Sequence, residues 1–89
     1  MINVFVHVHD EGESEWENEC HLFSRVPIEK EYFALSHDGN WYEVEMVVHT
    51  PFDQEVQAEI YAVKVDHMEI KRSKLNTESG FDFGVLSAP

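Results

Sequence analysis

The residues of this chain with most chemistry to offer are its six histidines and eighteen carboxylates. His7 and His9 stand two apart in an alternating segment. In a strand that spacing puts both imidazoles on one face, about 7 Å apart. A metal such as zinc would need one or two further N, O or S donors from a neighbouring strand. His49 is the first candidate, with Asp10, Asp66 and His67 behind it. No His-Glu-x-x-His, paired-cysteine or EF-hand spacing accompanies them. Hydrogen-bonded histidines on a polar sheet face are the simpler reading, and His21, His37 and His67 fall under it too.

Carboxylates this numerous lie close together by chance, so pairing alone does not indicate acid–base catalysis. That chemistry needs a cleft that shifts a pKa by desolvation or a neighbouring charge. A short β-rich chain offers little room for one. Cys20 and His21 are adjacent, so in a strand they point to opposite faces and form no dyad. A buried structural thiol is expected instead. Glycines are too scattered for a phosphate-binding loop.

The acids are unevenly placed. Asp10, Glu11, Glu13, Glu15, Glu17 and Glu19 fall within residues 1–24, which contain no lysine or arginine. If this run is extended, Glu13, Glu15, Glu17 and Glu19 share a face at steps of about 7 Å. That matches every second phosphate of a nucleic-acid strand rising roughly 3.4 Å per step. A solvated loop is the plainer alternative. Trp16 lies inside the run, and Trp41 shares a strand face with Glu43 and Glu45. Large aromatics beside charges often anchor protein interfaces.

At 89 residues the chain has room for one domain. Its core is modest, because a domain this small buries only about two-thirds of the surface that its unfolded chain exposes. Eighteen acids against six bases give a formal charge of −12. That charge disfavours direct nucleic-acid binding, which relies on Lys and Arg neutralising phosphates. It disfavours anionic membranes likewise and favours a basic protein partner. A single cysteine excludes an internal disulfide. No apolar run reaches the roughly 20 residues needed to span a bilayer, and residues 1–9 lack the pattern of a signal peptide. A cytoplasmic protein is expected.

Three alternating segments carry the fold reading. Val4, Val6 and Val8 alternate with Phe5, His7 and His9, the valines facing the core. Tyr42, Val44, Met46 and Val48 alternate with Trp41, Glu43, Glu45 and Val47. Residues 56–65 are rich in β-formers but change phase partway, which suggests a β-bulge or a strand passing between faces. A second strand around Cys20 and Leu22 pairs with the first and extends backwards to Glu15. Tyr32 to Leu35 forms another. Asp38-Gly39 marks a hairpin turn, Pro27 a break, and Met68 to Ile70 a last short strand. These elements predict an all-β domain over 1–72, a small curled antiparallel barrel of five or six strands, broadly SH3-like. A mobile tail is expected over 73–89.

Arg25-Val26-Pro27, Glu31-Tyr32, Trp41-Tyr42-Glu43-Val44, Val47-Val48-His49-Thr50-Pro51-Phe52 and Ala58-Glu59-Ile60-Tyr61-Ala62 resemble segments of small uncharacterised proteins of cyanobacteria and phages. Those proteins carry Arg-x-Pro, then Gly-Glu, then a Tyr-x-Val-x-x-Val-x-His strand. Lys30 stands where that pattern has glycine. The resemblance implies a small β-domain and brings no activity with it.

The sequence therefore points to a non-enzymatic acidic domain that binds another protein. Its expected contact face comprises Glu13, Glu15, Trp16, Glu17, Trp41, Glu43 and Glu45, and no cofactor is expected. A nucleic-acid-mimicking inhibitor of phage or plasmid type is the first alternative. A metal-binding domain using His7, His9 and His49 is the second. A homodimer is compatible with all three.

Overall fold

The computed structural model describes residues 1–75. Five strands, β1 (Ile2–His9), β2 (Glu17–Phe23), β3 (Tyr32–Ala34), β4 (Trp41–His49) and β5 (Ala58–Val65), form one sheet of order β2-β1-β5-β4-β3. A helix, α1 (His67–Leu75), follows. The β-rich, curled fold expected from the alternating segments is present. Strand direction is not uniformly antiparallel, however. β1 pairs β5 in parallel, Val6 opposite Ile60 and His7 opposite Tyr61, while the other pairs are antiparallel. The chain makes a hairpin (β1, β2), crosses to the far edge, makes a second meander (β3, β4, β5), and inserts β5 beside β1. Hairpin reasoning sees only neighbours in sequence, so it misses this pairing.

The sheet curls into a half-barrel. Val4, Val6 and Val8 of β1, Ala58, Ile60 and Ala62 of β5, and Val44 of β4 line its concave face and are buried. β-Branched residues dominate because they pack well on a pleated surface. The two edges approach where Phe23 of β2 meets Phe33 of β3 edge-to-face, ring centroids 5.7 Å apart. β2 and β3 are not paired, so the barrel stays open along that seam.

The phase change lies in β4 rather than β5. Val44 pairs with Ala62 and Met46 with Tyr61, leaving Glu45 as the extra residue of a bulge. Val47 instead of Val48 then faces the core, opposite Ile60. Met46 and Val48 move to the convex face, where they are exposed. β5 itself keeps a strict alternation of buried residues from Ala58 to Ala62. A bulge bends its strand and sharpens the local twist, which suits a sheet that must curl.

One turn differs from expectation. Asp38-Gly39 does not form a two-residue hairpin with positive φ. The turn runs Ser36 to Gly39, closed by the Gly39 N–H on the Ser36 carbonyl at 3.2 Å. A Cβ at Gly39 would meet the Ser36 hydroxyl, so a larger residue there requires that side chain to rotate away. Lys30, by contrast, sits at φ 76° in the turn from Ile28 to Glu31. An L-residue in that region costs about 1–2 kcal/mol. Lys30→Gly is expected to raise stability by about 0.5–1 kcal/mol, part of the relief being offset by glycine's freedom in the unfolded chain. An unchanged or lower urea midpoint would show that the turn carries no such strain.

Residues 67–75 are helical where a short strand was expected from Met68 and Ile70. Asp66 caps the helix: its Oδ1 accepts the N–H groups of Met68 and Glu69 at 3.1 and 3.2 Å. Asp66 with Glu69 three residues on is a capping-box spacing. Arg72 and Lys74 complement the helix dipole in the last turn. Ser73 to Leu75, read as the start of the tail, belong to this helix. The remainder of that tail, 76–89, lies outside the described residues. No described helix is long and apolar enough to cross a membrane.

Candidate functional site

β1 and β5 run in the same direction, so both finish at one end of the half-barrel. The loop that leaves β1 there carries the acidic run. Its turn is closed by the Glu13 N–H on the Asp10 carbonyl at 3.0 Å, with Gly12 at φ 81°. β2 begins only at Glu17, so Glu13 and Glu15 lie in the loop and not on an extended strand. The regular carboxylate ladder is limited to Glu17 and Glu19. Asp10, Glu13, Glu15 and Glu17 surround a cleft of about 370 Å³ together with Trp16, His9 and Lys64, on a floor of Val8 and Tyr42. Lys64 is the only lysine or arginine among the described residues lining it. Four carboxylates facing Lys64 and His9 leave this cleft an excess of negative charge suited to a cation.

Trp16 forms a wall of the cleft. Its ring packs against His9 at 4.2 Å and meets Tyr61 edge-on at 5.7 Å, yet 39% of the residue stays exposed. His9 is fixed in turn. Its Nε2 lies 2.9 Å from Glu45 Oε1 and its Nδ1 3.0 Å from the Asp10 carbonyl. Two oxygens facing the two ring nitrogens favour the imidazolium. The hydrogen bond to Glu45 raises the His9 pKa above its ordinary 6.5, against the opposing effect of burial. A raised folded pKa stabilises the protein fully below about pH 6.5 and loses its effect as pH rises through the folded value. The melting temperature of the parent is therefore expected to fall between pH 6 and pH 8.5 more than that of His9→Gln. Parallel profiles would show that the Glu45 contact does not hold the proton.

His7 is tied differently. Its Nδ1 lies 2.6 Å from Asn18 Oδ1 and its Nε2 3.0 Å from Glu59 Oε1, while the Tyr61 hydroxyl donates to the same Glu59 oxygen at 3.2 Å. The imidazole stacks on Tyr61 at 4.5 Å and touches Phe5 at 4.4 Å. Burial and the adjacent Glu59 carboxylate raise the Tyr61 pKa. His7 and His9 thus share the convex face, as the alternation predicts, but each is engaged by its own carboxylate. His49 is not brought to them. It lies at the opposite end of the sheet, beside Val26, Pro27, Ile28 and Glu29. Among the described residues no three His, Cys, Asp or Glu side chains are arranged to hold a metal ion.

The expected contact residues divide into two groups. Glu13, Glu15, Trp16 and Glu17 gather at the cleft. Trp41, Glu43 and Glu45 lie on the convex side. Trp41 anchors α1, with Lys71 Nζ 5.1 Å above its ring and His67 at 5.3 Å. Glu43 and Glu45 line a separate groove of about 450 Å³ under the helix, with Glu11, Asp66 and Glu69. The contacts of Asn18, Glu59 and Tyr61 with His7 were not foreseen from the sequence. Tyr61 and Glu59 reach His7 through the parallel β1–β5 pairing, for which no local signal exists. Asn18 stands opposite His7 in the β1–β2 register, which a hairpin alignment of the two strands would have found.

Comparison with known proteins yields no match: no family model, no curated protein and no solved structure matches the chain. Its class is therefore set by its own architecture, an acidic five-stranded mixed half-barrel.

Proposed function

We propose that the protein is a non-enzymatic, cytoplasmic interaction domain that receives a basic segment of another protein at the acidic end of the half-barrel. The observation that carries this reading is the cleft lined by Asp10, Glu13, Glu15 and Glu17 beside the partly exposed Trp16. Carboxylates supply the charge-assisted hydrogen bonds that guanidinium and ammonium groups require. The partly exposed Trp16 ring beside them offers apolar contact to the long stems of arginine and lysine. This reading is favoured over nucleic-acid mimicry because Glu13 and Glu15 leave the strand, and only Glu17 and Glu19 keep a regular step.

The test uses an oligoarginine peptide as probe and, as readout, the part of the tryptophan fluorescence that Trp16→Phe removes. Binding is expected at about 50 mM salt and to weaken steeply by about 300 mM, where screening shortens the reach of charge. The triple variant Glu13→Lys, Glu15→Lys, Glu17→Lys is expected to lose it. Binding that ignores both salt and these reversals would overturn the proposal.

A further inference from the structure

We infer that the outer edge of β2 is the seat of an added strand from the basic partner, a strand in which Lys or Arg alternates with apolar residues. This inference rests on the proposed function and specifies how the partner docks. β2 is seven residues long and pairs with β1 alone. Among the described residues no further backbone hydrogen bond reaches it. Among the described residues its other side therefore presents, up to the Phe23–Phe33 contact at one end, a row of N–H and C=O groups without backbone partners, the template used in β-strand addition. The opposite edge of the sheet, β3, is only three residues long.

The side chains of β2 specify the occupant. By register, Glu17 and Glu19 stand opposite Val8 and Val6, so both point to the concave side, where they are exposed. Asn18, Cys20 and Leu22 point to the convex side, where Cys20 is exposed and not buried as expected, because β2 is an edge strand, and Leu22 is 64% exposed. A strand laid along β2 places alternate residues beside Glu17 and Glu19 and the intervening ones beside Cys20 and Leu22. Opposite charges directly across a strand pair attract, and like charges repel. Exposed edges are commonly guarded by lysine, proline or a bulge. β2 has none of these, and its only guards are the two glutamates. They repel another acidic edge and attract a basic one. A second copy of this chain, itself at −12, is thereby a poor occupant. Glu17 also lines the cleft, so a strand on β2 leads directly into it.

The probe is the synthetic peptide Lys-Val-Arg-Val-Lys-Val, added to the full chain. It is expected to bind and to slow amide hydrogen exchange at alternate positions of residues 17–23. Two control peptides separate backbone pairing from charge. One has the same composition with its bases in a block, and the other carries N-methyl groups at alternate amides. Both are expected to bind at least roughly tenfold more weakly. The variant Glu17→Lys, Glu19→Lys should lose the basic peptide and accept Glu-Val-Glu-Val-Glu-Val in its place.

Equal binding of all three peptides with no protection of β2 would overturn strand addition and leave the acid-driven interaction standing. Binding of the alternating peptide with β2 protection but no salt dependence would do the reverse. Absence of any binding would overturn both. Protection of the β2 edge without peptide, in a species of dimer mass, would show that a second copy holds the edge and would overturn the inference.

Discussion

Ile60→Ala is expected to destabilise the protein by about 3–4 kcal/mol, from the lost transfer of the side chain out of water and the cavity left behind. Ile60 is fully buried in the central strand, with Val6 across one ladder and Val47 across the other. Both neighbours are held by their own ladders, so the site has little freedom to collapse. A domain this small has total stability toward the lower end of about 5–15 kcal/mol, and the variant loses much of it. Urea unfolding measures this as a lower midpoint at unchanged slope. The same experiment checks the bulge. Val47→Ala should cost about 1–2 kcal/mol because Val47 faces the core. Val48→Ala should stay within about 0.5 kcal/mol, because that side chain lies on the convex face. The opposite order would place the bulge elsewhere.

The second large effect concerns binding. Reversing Glu13, Glu15 and Glu17 is expected to weaken oligoarginine binding by about a hundredfold or more. Each exposed charge pair contributes up to about 1 kcal/mol, and reversal replaces attraction with repulsion at each position. Net charge alone does not produce this result. Each Glu→Lys change adds two charge units, so the triple variant moves from −12 to −6. The control pair Glu29→Lys and Glu55→Lys adds four of the same units at exposed positions outside the cleft. A control that loses most of what the triple loses would show that the protein attracts cations as a whole and not at the cleft.

Much of the fold was legible because alternation is a local property. Val4, Val6 and Val8 announce their burial by spacing alone, and His7 and His9 announce a shared face. The parallel pairing of β1 with β5 was not legible, since it joins segments more than fifty residues apart with no turn between them. The bulge at Glu45 was hidden for a different reason. Val44, Met46, Val47 and Val48 are all apolar enough to occupy either face, so composition does not reveal which one skips. α1 went unread because Met68 and Ile70 share the spacing of a short strand. The Asp66–Glu69 capping pair was the signal that should have outweighed it. At the site, the acidic run and Trp16 were visible as residues, whereas their convergence over Val8 and Tyr42 depends on how the sheet ends. Trp41, a conspicuous aromatic beside charges, also packs against α1, a contact with no signal in the sequence.

The insertion of β5 beside β1 also governs how the chain reaches its native state. The β1–β2 hairpin can form early, because its contacts are local, but its valine face stays uncovered until residues 58–65 have been made. At about 5–20 residues per second, translation from Phe23 to Val65 takes roughly 2–8 seconds. Closing so long a segment is slow, since its loop entropy must be overcome before the contacts form. During that interval the nascent hairpin exposes a sticky apolar stripe, flanked by six carboxylates in residues 10–19. The acidic run thus doubles as a solubilising flank for a strand that waits for its partner.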